Sequence, residues 1–151
     1  MSQEKENKEI VAQWFNSVWT KEKFDISVID KLASQDITMQ YPLHGHLKGP
    51  KAIKDMLERL KDAFPNLNFW VVGDLIADND YVVGRWEGGG THTGPEFSDL
   101  PAGSLPENSG KTIHFTGMSV FRIKEGKIIE EIGEEDALKA AIQLGVVATN
   151  E

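Results

Sequence analysis

The chain contains no cysteine, which excludes disulfide bonds, thiolate metal sites and a cysteine nucleophile but leaves the redox compartment open. No stretch approaches the roughly 20 consecutive apolar residues that a membrane-spanning helix needs. The amino-terminal segment MSQEKENKEI also lacks the apolar run of a secretory signal peptide. We therefore expect a cytoplasmic protein.

Positive charge is scarce as well. The 16 basic residues are outnumbered by 24 acidic residues, the formal net charge is -8, and no two basic residues are adjacent. Nucleic acids and anionic membranes bind through concentrated positive surfaces, so we expect neither as a partner. A length of 151 residues and a hydrophobic share of 40% are typical of one soluble domain with its own core, here residues 1–151.

Helical spacing of apolar residues predicts the first element, at residues 4–19. Its apolar stripe consists of Ile10, Val11, Trp14, Phe15, Val18 and Trp19. A shorter apolar set at 24–32 predicts a second helix, and a strand follows near 37–41. A third helix begins at Pro50 and ends before Pro65, because proline suits the first helical turn and cannot continue a helix.

Two strands follow, at 67–77 and 81–86, joined by a turn at 78–80. Both strands carry apolar residues at odd and even positions, which indicates a part of the sheet that is covered on two faces. Because helices precede an antiparallel run of strands, we expect an α+β domain whose sheet curls around the helices.

The last part of the chain, residues 111–145, predicts a strand, a turn at 125–126, a return strand and a helix. In a register that pairs Lys124 with Lys127, the carboxylate of Glu130 faces the apolar side. The later residues of this parity are Ile132, Glu134 and Asp136. A carboxylate on an apolar face must find a partner or raise its pKa. The pattern therefore predicts acids at the mouth of an apolar surface.

Two loops carry polar or flexible residues. His44 and His46 could share a metal ion, but two ligands are too few for a closed site, so we expect solvated loop histidines and no metal. Residues 87–110 contain six glycines and three prolines. No helix follows directly, which argues against a phosphate cradle. This segment is either a lid over a pocket or a surface excursion.

Five short motifs occur in order along the chain: AFPNL at 63–67, GDLIA at 73–77, THTG at 91–94, EGKIIE at 125–130, and Asp136 followed by QLG at 143–145. Together they resemble the SnoaL-like polyketide cyclase (ester cyclase) family over nearly the whole chain. The resemblance implies the cone-shaped α+β fold of nuclear transport factor 2 and ketosteroid isomerase. In that fold, N-terminal helices pack on a curved, mostly antiparallel sheet that encloses an apolar pocket.

The resemblance also implies cofactor-free chemistry, the intramolecular aldol closure of a polyketide-like ester with an aspartate as acid and base, in a protein that forms a homodimer. The family's catalytic aspartate falls on Asp136, and the histidine of its THTG-like motif falls on His92. Many members carry tryptophan where this chain has Ile132, and the loop after Gly94 is longer than usual. Both departures bear on the shape of the pocket.

Aldol closure by one carboxylate requires its pKa to rise from about 3.9 toward neutrality. On the residue pattern alone, Asp136 is better explained as the N-cap of the last helix, and the resemblance reverses that preference. His92, Arg85 or His114 could hydrogen-bond the enolate oxygen. The residues expected to bind substrate are Arg85, Trp86, His114, Glu130, Ile132 and Glu134. Two alternatives stay open, a non-catalytic protein that binds an apolar metabolite and an enzyme that opens an epoxide with water.

Overall fold

The computed structural model describes residues 2–148. The elements of this part, in chain order, are α1 (Gln3–Val18), α2 (Ser27–Leu32), β1 (Ala33–Tyr41), β2 (Gly45–Lys48), α3 (Pro50–Ala63), β3 (Asn68–Asp78), β4 (Tyr81–Thr91), β5 (Thr112–Lys124), β6 (Lys127–Glu135) and α4 (Ala137–Gln143). The three predicted N-terminal helices are present. Pro50 begins α3, as predicted, and Ser2 caps α1 by accepting the backbone N–H of Lys5 at 3.2 Å.

The strands form one open sheet in the order β2-β1-β6-β5-β4-β3. Strands β1 and β6 run parallel, and the other neighbours are antiparallel. Helices α1, α2 and α3 contact the sheet, and the core between them contains fully buried Trp14, Phe64 and Phe121. The predicted α+β class is confirmed.

Three features differ from the sequence-based expectations. His46 lies on the short strand β2, where it pairs with Gln40, and not in a loop. Strand β4 extends to Thr91, five residues beyond its predicted end. The glycines of this extension allow the neighbouring strand β5 to lie close, since a Cβ on Gly89 would be 1.8 Å from the carbonyl oxygen of Ile113. The outer face of β3 is open to solvent in the single chain, so the prediction that both faces are covered is wrong.

The register of the β5–β6 hairpin changes two residue pairs away from its turn. The predicted turn is present, with positive φ at Glu125 and Gly126, and Lys124 pairs with Lys127. Ile123 then pairs with Ile128, but Arg122 pairs with Glu130. Ile129 is therefore the extra residue of a β-bulge.

The bulge reverses the parity of every later residue of β6. Phe121 lies opposite Glu131, Ser119 opposite Gly133, and Gly117 opposite Glu135. The predicted register, which placed Glu130 on the apolar face, is therefore wrong. The inner face of β6 carries Glu131 and Glu135 instead.

The inner face of β6 also depends on Gly133, which faces the ring of Tyr41. A Cβ at this position would lie 1.8 Å from that ring. We predict that Gly133→Ala lowers the free energy of unfolding by roughly 1–3 kcal/mol, because the buried ring must move. Chemical denaturation measures this loss. Gly84→Ala is the matched control, since its new Cβ meets only the end of the flexible Leu75 side chain. Equal losses in the two variants would contradict this account of the packing.

Candidate active site

A small pocket lies between α1 and the inner face of the sheet. Its lining consists of Phe15, Trp19, Tyr41, His44, Phe69, Trp86, Phe115 and Glu135. The free space at its centre is about 20 Å³, which is room for one or two water molecules. The pocket therefore joins one carboxyl group to a wall made almost entirely of aromatic rings.

Glu135 is the carboxyl group of this pocket. One of its oxygens accepts the backbone N–H of Leu43 at 3.3 Å. Burial raises the pKa of Glu135 to about 7, this hydrogen bond works against the rise, and the neighbouring charge of Glu134 adds to it. A carboxyl group with a pKa near neutrality can both accept and return a proton at physiological pH.

His44 lies on the same pocket. Its ring stacks on the indole of Trp19 with 6.3 Å between the ring centres. Burial lowers the pKa of His44 to about 4, and the nearby charge of Asp99 opposes this effect. The imidazole is therefore neutral at physiological pH and brings no positive charge to the pocket.

A second carboxyl group, that of Glu131, is fully buried behind the pocket wall. It accepts the indole N–H of Trp14 at 2.9 Å and the hydroxyl group of Tyr41 through a short hydrogen bond. Burial raises the pKa of Glu131 to about 7, and these hydrogen bonds only partly offset the rise. Specific hydrogen-bond donors thus hold the Glu131 carboxyl group, and its pKa still lies close to neutral pH.

The network continues from Tyr41 toward the pocket. The Tyr41 hydroxyl lies 2.6 Å from Ser119 Oγ, which accepts the indole N–H of Trp86 at 2.9 Å. Burial and the charge of Glu131 hold the pKa of Tyr41 well above its ordinary value, so the phenol stays protonated. The indole N–H of Trp19 is also buried, and no acceptor meets hydrogen-bond geometry with it. This N–H is directed to the carboxyl group of Glu131, and it helps to limit the rise in the pKa of that group.

A second apolar cavity adjoins the pocket beneath the segment 92–111. It is lined by Leu43, His44, Leu60, Phe64, Leu67, Phe69, Phe97, Leu100, Ile113, Phe115 and Leu144. His44, Phe69 and Phe115 line both spaces and separate them. The segment is tied to α3 by an ion pair between Arg59 and Asp99, with Nε and Oδ2 2.7 Å apart.

His92 anchors the beginning of this segment. Its ring is fully buried, with Nδ1 2.8 Å from Ser109 Oγ and Nε2 2.6 Å from the carbonyl oxygen of Pro95. It packs on Phe64 and is not part of the pocket lining. Both ring nitrogens are used to fix the loop, so this arrangement gives His92 a structural task and leaves neither nitrogen for an enolate.

Asp136 is the N-cap of α4. Its side chain is exposed and accepts the backbone N–H of Lys139 at 3.1 Å. The expected position of this carboxylate in the pocket is therefore wrong, because the bulge at Ile129 gives the inward position to Glu135.

The other predicted binding residues divide between the two faces of the sheet. Trp86 lines the pocket. The outer face carries Arg85, His114, Glu130, Ile132 and Glu134. His114 is half exposed and bonds Glu87 at 2.6 Å. For the outer five, the expected place at the pocket is wrong. Alternation along β5 already groups His114 with its polar neighbours Thr112 and Thr116.

Sequence reasoning missed Glu131, Glu135 and Tyr41 as residues of the site. The helical stripe that contains Trp14 and Trp19 was predicted as core, and this stripe supplies both the donor to Glu131 and part of the pocket wall. No local pattern marks a bulge at Ile129, so the two acids could not be told from their neighbours.

Residues 2–148 contain no group of three or more histidine, aspartate or glutamate side chains arranged to hold a metal ion. No helix in this range combines the length and the apolar character needed to cross a membrane.

The buried carboxyl group of Glu131 predicts a pH effect on stability. Its pKa is higher in the folded chain than the ordinary 4.5, so its contribution is fully present at low pH and is lost as pH rises through about 7. One pKa unit corresponds to about 1.4 kcal/mol, so Glu131→Gln should remove about 3 kcal/mol of the stability difference between about pH 5 and about pH 8.

Denaturant unfolding at the two pH values measures this difference, and the titrations of Glu135 and His44 cancel in the comparison. Glu130→Gln, one residue away on the outer face, serves as the control and should keep the original profile. A Glu131→Gln profile that matches that of the unsubstituted protein would show that Glu131 does not titrate in this range.

Comparisons with other proteins agree with this architecture. The sequence model described as SnoaL-like polyketide cyclase matches residues 9–144. No curated protein matches the chain. A candidate SnoaL-like polyketide cyclase from Jannaschia sp. CCS1 is 19% identical with a TM-score of 0.80, and the match covers 98% of both chains. A candidate polyketide cyclase from Acidithiobacillus ferrooxidans is 27% identical with a TM-score of 0.69, covering 98% of this chain and 100% of that one.

A third solved structure names the fold. A protein with a ketosteroid isomerase-like fold from Catenulispora acidiphila DSM 44928, in complex with trimethylamine, is 17% identical with a TM-score of 0.70. The match covers 91% of this chain and 92% of that chain. Since the family model covers nearly the whole sequence, the chain belongs to the SnoaL-like polyketide cyclase family.

Proposed function

We propose that the protein catalyses cofactor-free acid/base chemistry on a small carbonyl compound, with intramolecular aldol closure of a polyketide-like substrate as the reaction. The observation that carries this proposal is the carboxyl group of Glu135, which faces an apolar pocket with a pKa of about 7. Glu135 takes the role that the family resemblance implied for Asp136, because Asp136 is an exposed helix cap.

The reaction needs one proton to move twice. The Glu135 carboxylate removes a proton next to a carbonyl group, and the resulting enolate carbon attacks a second carbonyl carbon of the same molecule. A carbon–carbon bond forms, and the new alkoxide takes the proton back from the Glu135 carboxyl group. Atoms and electrons balance without a cofactor.

Substrate entry requires an opening movement, since the central space of about 20 Å³ is too small for a polyketide-like molecule. The segment 92–111 is the part that we expect to move, because its residues Phe97 and Leu100 line the second cavity. His44 separates this cavity from Glu135 and would turn aside as a substrate enters.

Binding without conversion is the second candidate function. The presence of Ile132 in place of the family's common tryptophan does not favour this function, because Ile132 lies opposite Val120 on the outer face and does not shape the pocket. The protein from Catenulispora acidiphila was solved with trimethylamine, and we propose a small organic ligand for the pocket of this chain too. Epoxide opening is less favoured, since no arginine lines either described cavity.

Substitution of adjacent acids tests the catalytic assignment. Glu135→Gln should lower turnover of accepted carbonyl substrates by about 10²-fold or more, because the proton acceptor is lost. Asp136→Asn should retain most activity, since an asparagine still caps α4. Product formation by a panel of polyketide-like β-keto esters, followed by mass spectrometry, measures both effects.

Glu130→Gln is the matched control, because Glu130 lies on the outer face of the same strand. Activity of the unsubstituted protein should rise as pH increases through about 7, where Glu135 loses its proton. If Asp136→Asn abolished turnover and Glu135→Gln did not, the assignment to Glu135 would be wrong.

We also infer that two chains pair through the outer face of the sheet. This face exposes large apolar side chains, with 42% of Trp70, 69% of Ile76 and 49% of Met118 accessible in the single chain. Arg122 lies on the same face, and its buried Nε has no hydrogen-bond acceptor within the single chain's described residues. Exposed apolar patches on a strand face are typical of a protein interface.

Met118→Lys should therefore convert a dimer into a monomer, because a charged side chain would be placed at the centre of the paired faces. Sedimentation velocity gives the two masses. Leu138→Lys, at an apolar residue of α4 that is 63% exposed, is the control and should leave the dimer intact. A protein that is already monomeric at high micromolar concentration would rule out this interface.

A further inference from the structure

The walls of the pocket meet at nearly right angles. Phe69 and Trp86 lie with their ring centres 5.2 Å apart and their planes at 83°. Phe115 meets Phe69 at 75° and Trp86 at 80°, both at 5.6 Å. On the other side, Trp19 crosses Phe69 at 90° and Tyr41 at 66°. Mutually perpendicular rings present both faces and edges to the space that they enclose, which is the arrangement of an aromatic cage.

The charged groups in and behind the lining of this cage are all acidic. Glu135 is the acidic group in the lining, and burial of His44 keeps its imidazole neutral. Neither described cavity has a lysine or arginine in its lining. The buried carboxyl group of Glu131 lies behind the same wall, and the chain as a whole has a net charge of -8. An anionic ligand would meet no counter-ion here, whereas a cation would meet both a carboxylate and the negative faces of the rings.

We propose that the pocket binds a compact methylated ammonium group, with the Glu135 carboxylate as its counter-ion and the rings of Trp19, Trp86 and Phe115 as cation–π walls. The ligand class is therefore a small organic cation. This inference goes beyond the proposed reaction and does not depend on turnover, since it concerns only the head group that the cage holds.

Size favours a compact head group over a bulky one. The free space is small, so the ligand that needs the smallest displacement of the rings has the advantage. A short aliphatic chain attached to the ammonium group could pass His44 into the second cavity, whose lining is apolar. Once the rings move apart, the two cavities together offer an acidic, aromatic end to a cationic head and an apolar end to a tail.

Binding of such a cation is coupled to the proton on Glu135. A positive charge beside the carboxyl group favours its ionised form, so binding at neutral pH releases a proton. Affinity for the cation should therefore increase as pH rises through about 7 and level off above it. Affinity for a neutral ligand of the same shape has no reason to follow this profile.

A matched pair of ligands tests the proposal. Choline and 3,3-dimethylbutan-1-ol have the same shape and differ in having a charged nitrogen or a neutral carbon at the centre of the head group. Isothermal titration calorimetry on the intact protein should give at least about tenfold tighter binding of choline, because the cation–π and carboxylate contacts act on the charged ligand alone. Glu135→Gln should abolish this preference, and Glu130→Gln, on the outer face of the same strand, should preserve it.

Equal or tighter binding of the neutral alcohol would overturn the proposal, and so would the absence of detectable choline binding. Equal choline affinities of Glu135→Gln and Glu130→Gln would also overturn it. If Glu135→Gln does not fold, the rise of choline affinity with pH in the unsubstituted protein decides the matter, and a flat profile counts against the proposal. Failure here leaves the proposed reaction standing, since that is judged by the turnover of carbonyl compounds.

Discussion

A single extra residue in strand β6 determines which carboxyl groups enter the interior of this protein. Ile129 bulges out of the hairpin, and from that point the side chains of β6 change faces. Without the bulge, Glu130 and Glu134 would point inward. With it, Glu131 and Glu135 do, and the pocket, the buried network and the pH dependence of the protein all follow from their positions.

The two carboxyl groups differ in their surroundings. Glu131 is held by donors from α1 and β1, and its nearly neutral pKa shows that the hydrogen bonds from Trp14 and Tyr41 do not fully compensate for burial. Glu135 lines the pocket, where burial raises its pKa while its side chain remains partly exposed. Two glycines make this arrangement possible, since a side chain on Gly133 or Gly117 would occupy the space of a pocket ring.

The sequence predicted the elements of the fold well and the site poorly. The apolar periodicity of α1, the proline at the start of α3 and the turn before β6 are local signals, and each of them predicted the right element. The placement of an acid on one face of β6 depends on a bulge, which arises from pairing with two other strands and leaves no local signal.

The same contrast applies to single residues. The resemblance to the family gave the fold correctly, but it led to Asp136, which caps a helix, and to His92, which fixes a loop. Trp86 was expected at the pocket and lines it. Tyr41 was not predicted as a site residue, because a tyrosine at the end of a strand is an ordinary core residue. Its role depends on hydrogen bonds with Ser119 and Glu131, which are both distant in sequence.

The central claim is that the bulge holds two carboxyl groups of β6 away from water. The most direct measurement is a pH titration of the side-chain carboxyl carbons by NMR, with the signals assigned through Glu131→Gln and Glu135→Gln. Both signals should titrate with midpoints near 7 if the two carboxyl groups are buried as described. Midpoints near the ordinary value of 4.5 for both groups would show that these side chains are solvated, and would contradict the account.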